Sequence, residues 1–219
     1  MAAAVSSGAR RLGRKAKHMR VIAGKFRSRQ LKSLKGMALR PTSDRLRETL
    51  FNVIADRVEG SRFLDVFAGT GAVGIEALSR GAREAVFIEN HAPAARLIEK
   101  NLESLGLRAE ARVLAVDAAR GLQRLAAEAA AKRKDYDIAF LDPPYAAVED
   151  YRRVLSFLGT SRLLAEDSLV IAEHQPKLEL PETAGNLDRV RMLRQGDAAL
   201  SFYRCTIRRL PGGARNEKT

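Results

Sequence analysis

The chain has one cysteine, three histidines and no tryptophan, and only 5% of its residues are aromatic. Each shortage closes off a class of protein. Cys205 alone forms no internal disulfide, so the fold must rest on its core rather than on cross-links. His18, His91 and His174 are scattered, with no cysteine at ligand spacing, and no metal site is expected. No apolar run approaches the roughly 20 residues needed to cross a bilayer, and residues 1–20 lack the apolar stretch of a secretion signal. The expectation is a cytoplasmic protein. With 219 residues, 46% of them hydrophobic, the chain can bury one sizeable core, and no domain-sized linker or internal repeat interrupts it. A monomer is expected.

Acidic residues are scarce at one end. Residues 1–47 hold 14 Lys/Arg and one acid, Asp44, which accounts for the whole formal charge of +13; residues 48–219 balance 25 bases against 25 acids. A neutral body with one cationic end is an electrostatic footprint for a polyphosphate such as nucleic acid. Residues 1–18, rich in Ala, Ser, Gly and Arg without periodicity, read as a disordered basic extension. Residues 20–35 alternate short apolar and basic stretches around Gly24, the pattern of a basic β-hairpin, and offer Arg20, Lys25, Arg27 and Arg29 to phosphates. After Pro41 the apolar positions Leu46, Leu50, Val53, Ile54 and Val58 follow helical spacing, with Ser43 or Asp44 as the cap. Arg40 before that helix and Arg45 and Arg47 on its polar side complete the candidate nucleic-acid set. The expected division is a basic hairpin and helix over 19–60, a catalytic domain over 61–210, and a polar tail over 211–219.

From Arg62 the pattern alternates strand and helix: strands at 63–67, 85–89, 111–116, 138–141 and 168–173, and helices at 72–80, 93–105, 118–132 and 150–158. Repeated βα units of this length predict an α/β, Rossmann-like fold, a mostly parallel sheet with helices on both faces. Residues 190–193 and 200–207, joined through Gln195-Gly196-Asp197, predict an antiparallel hairpin appended to the sheet edge.

The first strand runs into Asp65-Val66-Phe67-Ala68-Gly69-Thr70-Gly71-Ala72-Val73-Gly74. Its glycines let backbone approach a ligand, and the following helix start favours an anion, either a pyrophosphate or an amino-acid carboxylate. Asp65 decides against the pyrophosphate. Its carboxylate suits the methionyl ammonium of S-adenosylmethionine and would repel a phosphate. Phe67, Ala68, Gly69 and Gly71 form the predicted cofactor loop, Glu89 is placed for ribose hydroxyls, and Asp117 for the adenine amino group. The fold is therefore predicted to be that of class I S-adenosylmethionine-dependent methyltransferases.

The fourth strand leads directly into Asp142-Pro143-Pro144-Tyr145. An exocyclic base amine is a poor nucleophile because its lone pair is delocalised into the ring. Acceptors aimed at its N–H groups, here the Asp142 carboxylate and the Pro143 carbonyl, localise that pair and point it at a methyl donor. Pro144 helps fix the turn, and Tyr145 can stack on a base swung out of its helix or loop.

Together these residues resemble the RsmD-type family of small-subunit ribosomal RNA guanine-N2 methyltransferases. The resemblance runs from Met19 to about Arg209. It rests on residues 19–27, on Arg40 to Asn52 followed by Phe67 to Ala82 as the most diagnostic part, on Asp142 to Tyr145, and on Gly196-Asp197 to Tyr203. It implies methylation of the exocyclic N2 of guanine 966 in 16S ribosomal RNA within an assembling small subunit. Glu89 would bind ribose, Asp117 adenine, and residues 142–145 the target guanine. Residues 1–18 lie outside the pattern. Three other readings compete: an adenine-N6 methyltransferase, which uses the same tetrapeptide but usually carries a large recognition insertion absent here; a non-enzymatic RNA-binding or assembly factor that has kept the sheet; and a nicotinamide oxidoreductase, for which no proton-transfer residue is evident near the loop.

Overall fold

The computed structural model describes residues 19–33, 42–132, 135–144 and 147–206. The basic extension 1–18, Arg40, Tyr145 and the tail 211–219 lie outside these described residues. The Ser43 side chain accepts the Leu46 N–H at 3.1 Å and starts α1 (Asp44–Val53), whose Leu46, Leu50 and Phe51 turn inward. The helix then breaks at Ile54, which leaves helical geometry at φ −107°, ψ 17°, and one further turn forms α2 (Ala55–Val58). Ile54 and Val58 stay buried, so the single predicted helix becomes two pieces around the same apolar stripe.

The alternating region forms β1 (Arg62–Val66), α3 (Ala72–Ser79), β2 (Glu84–Ile88), α4 (Ala92–Leu105), β3 (Ala111–Leu114), α5 (Ala118–Lys132), β4 (Tyr136–Leu141), α6 (Val148–Thr160) and β5 (Leu164–His174). Three strands follow: β6 (Thr183–Ala184), β7 (Leu187–Gln195) and β8 (Ala198–Cys205). The sheet order is β3-β2-β1-β4-β5-β8-β7-β6, with β1 to β5 parallel and the last strands antiparallel. The strand order reverses between β1 and β4, which opens a crevice at their carboxyl ends. The predicted closing hairpin is β7 and β8, but β8 lies against β5 and the outer edge belongs to β6, which sequence patterning did not anticipate.

Side-chain alternation divides the core between the sheet faces. Phe63, Ile138, Phe140, Ile171 and Phe202 pack toward α1, α3 and α4; Leu64, Val66, Ala139, Leu141 and Tyr203 pack toward α5 and α6. Among the described residues, no helix is long and apolar enough to cross a membrane.

The N-terminal segment corrects two expectations. Residues 20–30 turn back on themselves through one antiparallel bridge, Arg20 to Gln30, with backbone bonds from Val21 N–H to the Arg29 carbonyl and from Ser28 N–H to the Val21 carbonyl, but they do not form two regular strands. The reason lies in α3. Buried Glu76 accepts the Ile22 and Ala23 N–H groups at 2.7 and 2.9 Å, which removes donors that a ladder would need. Ser79 then accepts from the Lys25 and Phe26 N–H groups and donates to the Ala23 carbonyl, and Asn101 on α4 accepts the Lys32 N–H. Gly24 sits against this contact at φ +80°, where a Cβ would come within 1.8 Å of the Ser79 carbonyl oxygen. Only glycine fits there. Arg47, expected among the phosphate-facing cations, is instead 1% exposed. Its guanidinium donates to the Arg20 carbonyl and to Asp44 and lies 3.7 Å from the Glu76 carboxylate, so it fastens the segment from inside. Arg20, Lys25, Arg27, Arg29 and Arg45 keep exposed side chains.

Candidate active site

The site is built where β1, β4 and β5 end. Phe140 on β4 stands level with Asp65 on β1, and Leu141 pairs with Ala172 on β5, so Asp142 and Glu173 occupy the next level of the sheet. Two-residue alternation puts Asp65, Asp142 and Glu173 on the same face as Phe63, Phe140 and Ile171. Three adjacent strands thus end with carboxyl groups on one side.

Asp65 is buried, and its Oδ2 accepts the Gly74 N–H from the first turns of α3 at 2.9 Å. A Cβ at residue 74 would meet the Phe87 ring at 2.3 Å, so glycine lets this helix lie close to the sheet and its amide reach Asp65. Between them the loop turns through left-handed backbone at Phe67 (φ 65°), Gly69 (φ 54°) and Gly71 (φ 75°). That conformation is strained for Phe67, a bulky residue, and places its ring at the wall between two cavities. Glu89 secures the loop, one carboxylate oxygen accepting the Gly69 N–H at 2.6 Å and the other the His91 N–H at 2.7 Å.

The first cavity, about 70 Å³, is lined by Thr42, Asp65, Phe67, Ala68, Gly69, Thr70 and Asp142 among others. The second, about 380 Å³, lies on the other side of Phe67 and is lined by Asn90, Asp117, Ala118, Leu122, Arg153 and Phe157 among others. Asp117 belongs to a helix start rather than a strand end: β3 stops at Leu114, and the Asp117 carboxylate accepts the Arg120 N–H at 2.9 Å to begin α5. Pro143 is buried and Pro144 exposed, carrying the chain away from Asp142.

Electrostatics set this cluster apart. Burial, partly offset by the Gly74 hydrogen bond and reinforced by Glu89, pushes the Asp65 carboxyl up to about 8. Burial, followed by the neighbouring carboxylates of Glu173 and Asp65, holds Asp142 well above the usual carboxylate range. Glu173 is buried too, and its Oε2 accepts the Thr42 hydroxyl at 2.7 Å. Sequence reasoning missed Glu173 and Thr42. The available signal was an acid closing the apolar run Leu169 to Ala172, as Glu89 closes Ala85 to Ile88.

The residues present fit S-adenosylmethionine. Desolvated acids favour a ligand carrying positive charge and disfavour a phosphate beside Asp65. Across Phe67, the larger cavity offers Leu122, Phe157 and the Phe67 ring to a planar heterocycle. Glu89 has lone pairs beyond the two that accept backbone amides.

The family described as "Conserved hypothetical protein 95" matches residues 19–204. Ribosomal RNA small subunit methyltransferase D of Escherichia coli K12 is 35% identical over 187 residues, covering 84% of this chain and 89% of that one. The chain belongs to the family of this methyltransferase D. A Bacillus subtilis protein provisionally named rRNA methyltransferase YlbH is 39% identical over 187 residues, 85% of this chain and 98% of its own. The solved structure of E. coli yhhF, provisionally named a methyltransferase and 32% identical, superposes with a TM-score of 0.74 over 86% of this chain and 98% of that one. The fold is accordingly that of S-adenosylmethionine-dependent methyltransferases, as the βα pattern and cofactor loop predicted, and the family is one of methyltransferases.

Proposed function

We propose that this protein transfers a methyl group from S-adenosylmethionine to the exocyclic N2 of a guanine in small-subunit ribosomal RNA, acting as a cytoplasmic monomer on an assembling subunit. The observation that carries the reading is the placement of Asp142, one strand from the cofactor loop and level with Glu173, at the mouth of the cavity that Asp65 lines. S-adenosylmethionine supplies an electrophilic methyl group when bound. Asp65 and the loop amides fix the methionyl end, and Glu89 and the apolar cavity beyond Phe67 take the nucleoside end. The Asp142 carboxylate and the Pro143 carbonyl accept the two N–H groups of the target amine, which turns its lone pair toward the methyl carbon. The donor sulfur would keep the electron pair of the S–C bond as the new N–C bond forms. The amine then holds one proton too many, and the nearest base is Asp142. Tyr145, the next residue of the tetrapeptide in sequence, supplies an aromatic ring that could stack on the displaced base.

Exposed Arg20, Lys25, Arg27, Arg29 and Arg45 give the RNA a cationic approach, whereas Arg47 is reserved for the fold. Family membership and the absence of a long insertion among the described residues weigh against a DNA adenine enzyme. Mapping labelled methyl transfer onto small subunits from a strain lacking the gene tests the target. Asp142→Ala should leave affinity for S-adenosylhomocysteine nearly intact by calorimetry and lower kcat by about 10²–10³. Retention of near-normal kcat would make the tetrapeptide a structural turn.

A further inference from the structure

Glu173 is the acid that the mechanism above leaves without a task. It sits one strand from Asp142, at the same level and on the same face of the sheet. It is 4% exposed, and its backbone is held on both sides: Tyr151 donates its hydroxyl to the Glu173 carbonyl at 2.7 Å, and the residue pairs with Leu200 on β8. Its carboxylate accepts the Thr42 hydroxyl at 2.7 Å, and Thr42 itself lines the cavity that Asp65 and Asp142 share. Two carboxyl groups this close do not both ionise freely, and the first proton goes to the one with fewer donors. Thr42 donates to Glu173, whereas among the described residues no side chain or backbone group donates to Asp142.

We propose that Glu173 is a positioning residue for methyl transfer: held ionised by the Thr42 hydroxyl, its carboxylate makes Asp142 the more basic member of the pair and so the one that takes the proton released by the target amine. Among the described residues, the charged groups that act on Asp142 are Glu173 from β5 and Asp65 from β1, with Glu89 acting on Asp65 in turn. Removing Glu173 leaves burial and Asp65 in place, so the basicity of Asp142 should fall without collapsing. Thr42 adds a second consequence. It is the first described residue of the segment that carries α1, so its hydrogen bond to Glu173 joins that segment to the proton-accepting pair.

The proposal rests on the methyltransferase reading above, and two readouts separate the fate of each. The first is the pH profile of kcat on small subunits for the wild type, Glu173→Gln and Thr42→Val. The second is a carbon-13 carboxyl NMR titration of the ligand-free protein, which needs no activity at all. In Glu173→Gln, the acid limb of the profile and the titration midpoint of Asp142 should both move to lower pH, by about one pH unit for the loss of one close like charge. Thr42→Val should move both the same way by less, because Glu173 then holds its own proton more readily. A purely structural Glu173 would change Tm and leave the midpoint where it was. An Asp142 midpoint that stays or rises overturns the proposal. If Glu173→Gln does not fold, Thr42→Val decides. Wild-type protein that transfers no methyl group removes the function, while the NMR midpoints still decide the pairing.

Discussion

Replacing Gly24 by alanine is the sharpest test of how the basic segment is held, because the structure supplies both the perturbation and its control. A Cβ at residue 24 would lie 1.8 Å from the Ser79 carbonyl oxygen and 2.8 Å from its Oγ, with φ at +80°. Neither backbone can yield without breaking the hydrogen bonds at this contact: Lys25 N–H to the Ser79 carbonyl (2.7 Å), Phe26 N–H to Ser79 Oγ (3.0 Å), and Ser79 Oγ to the Ala23 carbonyl (2.6 Å). At about 1 kcal/mol net for each bond and about 1–2 kcal/mol for a left-handed alanine, the loss is about 4–5 kcal/mol. Gly60 has a similar φ of +72°, but a Cβ there meets nothing within 4 Å, so Gly60→Ala should cost only the backbone strain. For a chain of this size the expected falls in Tm are roughly 10–15 °C for Gly24→Ala and about 2–6 °C for Gly60→Ala. Hydrogen exchange should show early loss of protection at the Ile22, Ala23, Lys25 and Phe26 amides in Gly24→Ala alone, with the sheet amides retained. Equal falls in Tm for the two variants would refute the argument that close approach to α3 selects glycine at residue 24.

Asp65 yields a pH prediction whose sign follows from its raised carboxyl. A group that holds its proton up to about 8 when folded and to about 3.8 when unfolded stabilises the fold below that window and loses stability as pH rises through it. By pH 7 the wild type has lost on the order of 4 kcal/mol relative to acid pH, because the unfolded chain ionises Asp65 while the folded one keeps its proton, so Asp65→Asn should raise the Tm of ligand-free protein at pH 7 and leave it nearly unchanged at pH 4. Calorimetry across pH 6 to 8 should show S-adenosylhomocysteine binding wild type more tightly as pH rises, by up to about tenfold per unit, and losing that dependence in Asp65→Asn. Neutralising Arg20, Lys25, Arg27 and Arg29 together should flatten the salt dependence of RNA binding by about 0.7 in log–log slope per lost phosphate contact, with cofactor affinity unchanged. An unchanged slope would leave these side chains as solvated charge.

The sequence alone determined the βα alternation, the glycine-rich loop after β1 and the Asp142 turn, because each is local: periodicity, glycine at left-handed positions and proline after a strand act over a few residues. The family resemblance drawn from those residues was shown by the relatives. Tertiary structure decided what depends on residues far apart in the chain. Arg47 resembles Arg45 on paper, yet one is buried and the other exposed, because Glu76, 29 residues away, lies beneath α1. Residues 20–30 carry a hairpin pattern and keep its backbone bonds Val21 N–H to Arg29 and Ser28 N–H to Val21, yet the Ile22, Ala23, Lys25 and Phe26 amides go to Glu76 and Ser79, since buried donors take the nearest fixed acceptor whichever element provides it. Glu173 ends an ordinary apolar strand. It joins Asp142 and Asp65 only because β5 pairs beside β4 and Thr42 returns to the same edge, and no local pattern encodes which strands become neighbours.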